Sequence, residues 1–301
     1  MRFRKRVLLF LVPAFVIYSA FMLIPLLMSM RVALYEYTGI GDMTFIGLDN
    51  FQRLLFESPY ADRFINAITN TLEFFLYTMV FQNVTALLLA LALTRGLKLT
   101  GLFRTIIFIP VTISILMIGF IWTLILNPNI GVLNQFLEVI GLEAWATAWL
   151  GNEATALPTV AVVNAWQYTG LMVMLFIAGI QSIPEDRFEA ARLDGAKGWN
   201  IFRHIIFPAI IPIVGIVTIM TLMGVFNQFD LIYAMVGSTG GPNYAVDLLG
   251  TLFYRTAFGG VGGQVPQMGL GAAIATMTFF MISTFVIGML YINHRRKRGE
   301  M

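Results

Sequence analysis

The sequence predicts an all-α integral membrane protein: six transmembrane helices with both termini on the cytoplasmic side. Three observations carry that expectation. Of the 301 residues, 58% are hydrophobic and only 12% charged, about half the ~25% charge of a soluble globular domain. Six apolar stretches, roughly 7–30, 72–93, 105–126, 157–180, 205–229 and 269–292, reach the ~20 residues a helix needs to cross a bilayer. An open sheet would leave backbone groups unpaired in lipid, so each stretch is expected to be helical. Lastly, fifteen of the nineteen Lys and Arg residues fall on one side of such a bundle if the N-terminus is inside, the bias that fixes orientation.

Taken in order, the first span follows a basic start (Arg2, Arg4, Lys5, Arg6) and has no small-x-small cleavage pattern at its end, so it reads as a retained anchor. Pro13 and Pro25 are expected to kink it. The outer connection before span two carries turn-forming Gly39, Gly41 and Gly47, and 61–68 has the pattern of a short surface helix. The connection after span three has no Lys or Arg and two tryptophans, Trp145 and Trp149, suited to a membrane interface. The last outer connection holds Gly240-Gly241-Pro242 and the glycine-rich run 259–263, both loop formers. The whole of 1–301 reads as a single transmembrane domain, with no internal repeat.

Several chemistries are excluded or disfavoured. Cysteine is absent, which removes disulfides, thiolate nucleophiles and cysteine metal sites. His204 and His294 stand too far apart in sequence to suggest a metal site, and no catalytic cluster is visible. The closest approach to a phosphate-binding loop starts at Gly96 and lacks the lysine after Gly101, so the chain is not expected to hydrolyse ATP. Nothing points to nucleic acid. Carboxylates are missing at mid-depth in spans two to six, which disfavours a proton-coupled carrier.

The charged segment between spans four and five, 181–204, is the informative one. Pro184 suits a helix start, and Glu185 and Asp186 sit where the helix dipole favours negative charge. Glu189 and Arg192 are spaced to pair on one face. Phe188 and Leu193 supply apolar knobs, while Ala190, Ala191 and Ala196 keep the surface low enough for another protein to approach. Gly195 and Gly198 allow a sharp bend before the chain re-enters the membrane. By composition alone this is equally an ordinary charged inner loop. The order Glu189-Ala190-Ala191, Asp194-Gly195-Ala196, Phe202, Ile205, Pro208, Pro212 goes further. It resembles the signature loop of binding-protein-dependent ABC importer permeases.

The resemblance extends over nearly the whole chain. Gly47-Leu48-Asp49-Asn50-Phe51, Arg104-Thr105 through Pro110, Phe226, Phe229, Asp230, Gly240-Gly241-Pro242 and Tyr254-Arg255-Thr256-Ala257-Phe258 look like the carbohydrate-uptake branch, of the maltose and glycerol-phosphate type. The resemblance implies the type I importer permease fold in a bacterial or archaeal inner membrane, with 181–204 as a coupling loop. Glu185, Phe188, Glu189, Ala190, Ala191, Arg192, Asp194, Gly195, Ala196 and Gly198 would then meet a cytoplasmic ATPase. It also implies partners: a second homologous permease, two ATP-binding cassette subunits that carry ATP and Mg, and an extracytoplasmic solute-binding protein. This chain itself would carry no cofactor and contact membrane lipid.

Polar side chains inside the spans are the candidates for a solute path, because in lipid they need a cavity or a partner. They are Gln82 and Asn83 in span two, Asn164, Trp166, Gln167 and Tyr168 in span four, and Thr218, Thr221, Asn227, Gln228 and Asp230 in or beside span five. For each, a plain interhelical hydrogen bond is the competing reading. Amides outnumber charges, which suits a neutral, hydroxyl-rich solute such as a sugar. A polyamine or other small organic solute, or a stand-alone carrier, are the alternatives.

Overall fold

The structure, a computed structural model, describes residues 2–96, 98–259 and 265–299, with side chains in 10–96, 98–259 and 265–291. The expected glycines 260–263, and the side chains of the terminal basic clusters and His294, lie outside the described residues.

Five helices are long and apolar enough to cross a membrane: Phe10–Val32, Tyr60–Leu93, Glu153–Gln181, Gly198–Phe226 and Met268–Tyr291. A sixth crossing exists if the pair Thr100–Thr112 and Ile115–Ile125, bent by 97°, counts as one span. The protein is thus an all-α, multi-pass membrane fold. Its only described strands are the two-residue pair Tyr35–Glu36 and Thr44–Phe45, turned through Gly39 and Gly41 at positive φ.

Two of the sequence expectations change. The short surface helix at 61–68 is the beginning of the Tyr60–Leu93 helix, which runs unbroken for 34 residues. At 1.5 Å per residue that is ~50 Å, longer than the ~30 Å hydrocarbon core, so the helix stands well clear of the membrane. The expected straight span 105–126 is broken instead. Ile113 and Ser114 adopt extended backbone (ψ 139° and 134°), three residues after the internal Pro110, whose missing N–H already weakens that turn.

Contacts divide the chain into two compact units, residues 1–65 with 252–280, and residues 66–251 with 281–301. In the first, Asn50 is 1% exposed and its amide donates to the carbonyls of Ala33 (2.9 Å) and Tyr35 (3.0 Å). That clamp gives the Gly47–Phe51 sequence a structural task. In the second, the helices Tyr60–Leu93, Glu153–Gln181 and Gly198–Phe226 share a core of Ala86, Ala90, Val173, Phe176, Ile177, Ile210 and Val217. Alanines at 86 and 90 let backbones approach closely, which is how helices associate where no hydrophobic force separates them from lipid. A Cβ on Gly170 would run into the backbone of Ile107 and Phe108, so glycine is what lets the broken span lie against Glu153–Gln181.

The membrane helices also carry π-helical turns at Ser19–Leu23, Met79–Val84 and Phe202–Ile206. Such turns insert one residue into the ladder and re-aim the side chains that follow. The first precedes Pro25, which has no N–H to give. The second contains Gln82 and Asn83.

Candidate functional site

A cavity of about 230 Å³ lies among Tyr60–Leu93, Glu153–Gln181 and Gly198–Phe226 with the residues that follow it. Its polar lining is Thr78, Gln82, Asn164, Tyr168, Thr221 and Gln228, with Met172, Met220 and Val225 among the apolar walls. No charged residue lines it. Two cross-helix contacts brace it. Asn83 Nδ2 donates to Thr221 Oγ1 at 3.2 Å, and Gln228 Nε2 donates to Asn164 Oδ1 at 3.3 Å. The Thr78 hydroxyl is 1% exposed by residue and has no hydrogen-bond partner among the described residues. An unpartnered hydroxyl on a cavity wall is a group waiting for a ligand or water.

Five of the path candidates therefore meet at one cavity, and the others do different work. Asn83 stands behind the wall as a brace. Gln167 sits one helix step from Tyr168 but points to the broken span, where Nε2 donates to the Ile113 carbonyl at 3.3 Å. Its Oε1 is buried without a partner among the described residues. Trp166 faces away, 43% exposed, edge-on to Trp122 with ring centroids 5.6 Å apart. Thr218 returns its hydroxyl to the Val214 carbonyl (2.8 Å), and the exposed Asn227 bonds the Met223 carbonyl (2.8 Å). Asp230 is exposed in the first turn of Asp230–Val236, where negative charge suits the helix dipole. Beyond the path residues, Trp149 is a structural tryptophan that donates to Asn134 Oδ1 at 2.7 Å, whereas Trp145 is 69% exposed.

The charged segment forms an elbow. A helix runs Glu185–Leu193 from Pro184, as expected. It ends in a Schellman turn: Ala196 N–H donates to the Ala191 carbonyl (2.9 Å) and Gly195 N–H to the Arg192 carbonyl (3.1 Å), with Gly195 at φ +77°. Lys197 is extended, and Gly198 begins the next helical segment. Glu189, Ala190, Asp194 and Gly195 are exposed, and the apolar Leu193 is 90% exposed. The expected Glu189–Arg192 pair does not form. Arg192 turns with Glu185 and Phe188 towards a groove under the helix, and an exposed i,i+3 pair worth only ~0.3–0.5 kcal/mol does not hold it back.

An uncharged cavity lies between the membrane helices, and an exposed elbow joins two of them. The chain belongs to the family of binding-protein-dependent transport system inner membrane components, which it matches over residues 82–299. It is 38% identical over 285 residues to the probable ABC transporter permease protein YurN of Bacillus subtilis, covering 94% of this chain and 93% of that one. The lactose transport system permease protein LacF of Rhizobium radiobacter is 30% identical (96% and 94% covered). The trehalose/maltose transport system permease protein MalF of Thermococcus litoralis is 28% identical (96% and 94% covered). Among solved structures, a bacterial ABC transporter involved in the import of the acidic polysaccharide alginate has the same fold, with TM-score 0.81, 23% identity, and 98% and 99% of the two chains covered. The protein is a multi-pass inner-membrane permease component of an ABC importer.

Proposed function

We propose that this permease passes a neutral sugar or sugar-like solute into the cytoplasm. The observation that carries the reading is the chemistry of the cavity. Its polar groups are amides, hydroxyls and a phenol, with no cation and no carboxylate. Such a wall pairs with hydroxyls through ordinary hydrogen bonds and offers no counter-charge to an acidic sugar or a polyamine. The names of the lactose and trehalose/maltose relatives agree with it. At about 230 Å³ the cavity is smaller than the ~300–1,000 Å³ of a complete small-molecule site, as expected of half a passage. A second, homologous permease supplies the other half.

In this reading 1–301 acts as one permease domain, the bent pair is the sixth crossing, and both termini and the 181–204 elbow face the cytoplasm. The elbow seats Glu189, Ala190, Asp194 and Gly195 in one of two ATPase subunits, which bind ATP and Mg. An extracytoplasmic binding protein delivers the solute from the other side. The Schellman turn makes the elbow stiff enough to transmit a push to the Gly198–Phe226 helix, which carries Thr221.

The test is ATP hydrolysis by the reconstituted importer with its binding protein, scanned against neutral mono- and oligosaccharides, uronates and polyamines. A neutral sugar is expected to stimulate, and Gln82→Leu or Asn164→Leu to lower its uptake at least about tenfold, as unpaired polar groups do in a discriminating site. Stimulation by a uronate or polyamine alone would overturn the reading.

A further inference from the structure

A second cavity, larger than the polar one, lies within residues 66–251. A groove of about 910 Å³ opens beneath the elbow, between the end of Tyr60–Leu93 and the start of Gly198–Phe226. Leu87, Leu91 and Ile206 make an aliphatic wall, and Leu88, 62% exposed, carries it outward onto the open side of its helix. Arg95, two residues past the end of the membrane helix, and Arg192, on the elbow, both line the groove and are exposed. Among the described residues neither guanidinium has an ion-pair or hydrogen-bond partner. Trp199, 67% exposed and tilted against Phe202 with ring centroids 5.2 Å apart, lines the rim.

We infer that this groove holds an anionic phospholipid, with its phosphate between Arg95 and Arg192 and an acyl chain along the leucine wall. An apolar trough open to lipid, two unpaired cations where it meets water and a rim tryptophan are the three elements of an interfacial lipid site. Each arginine near an anionic headgroup is worth about fivefold in lipid preference. Glu185, on the same lip, takes back about one such factor. The net expectation is roughly fivefold for phosphatidylglycerol over phosphatidylcholine. Because Phe188 and Arg192 line the groove from the elbow, a lipid seated there would brace the elbow from behind and leave Leu193 and Ala190 free on the other face.

The inference rests on the elbow being the ATPase-coupling element only for its consequence; the lipid site is read independently of transport. The assembled importer is placed in nanodiscs containing brominated phosphatidylglycerol or brominated phosphatidylcholine, and fluorescence is compared between the native protein and Trp199→Phe. Their difference isolates Trp199 from the tryptophans of every other position. Stronger quenching of Trp199 by the anionic lipid is expected, with half-quenching at roughly fivefold lower lipid fraction, and loss of that preference in Arg95→Gln with Arg192→Gln. Native mass spectrometry of the native importer, in which co-purified anionic lipid is expected, keeps the test open if the double variant does not assemble. Equal quenching by both lipids, or no quenching because a partner subunit fills the groove, would overturn the inference.

Discussion

The side-chain amide of Gln167 donates to the carbonyl of Ile113 at 3.3 Å, at the corner where the third span turns through 97°. A broken helix in a membrane leaves carbonyls that neither the ladder nor water satisfies, and a neighbouring side chain must take them up. Gln167 is therefore a positioning residue for the break. Gln167→Leu removes the donor at a cost of about 1 kcal/mol, which for a chain of this size lowers Tm by roughly 1–2 °C. In transport the maximal rate should fall while the half-saturating solute concentration stays put. A change confined to the latter would return Gln167 to direct solute contact.

The cavity's brace between Asn83 and Thr221 can be separated from any solute role by a double-mutant cycle. Asn83→Ala, Thr221→Val and the pair should give a coupling energy of about 0.6 kcal/mol in thermal or denaturant unfolding, the average for hydrogen bonds between membrane helices. Near-zero coupling would mean that the 3.2 Å contact contributes nothing to the bundle.

Leu193 offers the simplest check on the elbow. It is 90% exposed, so Leu193→Asp should leave membrane insertion intact and stability within about 0.5 kcal/mol of the native protein. Affinity co-purification with the ATPase subunits should nonetheless fall sharply, because a charge in an apolar interface must be desolvated. Full recovery of the ATPases would place their contact elsewhere.

What could be read from the sequence follows from which physical signals survive without coordinates. Span existence is a matter of summed hydropathy, and five spans stand within a few residues at most ends. The elbow is equally readable, because a Schellman turn favours a glycine at its left-handed position and Gly195 stands where the helix stops. The break at Ile113–Ser114 was not, since two backbone torsions leave no mark on hydropathy. Nor was the aim of span-four side chains. Glu153–Gln181 is apolar nearly all round and buries residues on most of its faces. Its sequence therefore does not say that Asn164 and Tyr168 meet a cavity, Gln167 a broken helix and Trp166 another tryptophan.

Gly195 carries the last prediction. Its φ of +77° lies in the left-handed region, and a Cβ there would meet no neighbour within 4 Å, so any cost of substitution is backbone strain and not collision. Gly195→Ala should cost about 1–2 kcal/mol, borne by a short exposed elbow and not by the bundle, so expression and Tm of the permease should hardly move. Strain is relieved by unwinding the Schellman turn, which frees the Ala191 and Arg192 carbonyls and loosens the link between Glu185–Leu193 and the helix that carries Thr221. Basal ATP hydrolysis by the assembled importer should persist while its stimulation by loaded binding protein drops. Gly195→Asn, which tolerates the left-handed region better, should lose less, and Gly195→Asp, which adds a charge next to Asp194, should lose more. If all three substitutions leave stimulated hydrolysis and uptake at native levels, the elbow's rigidity has no part in coupling.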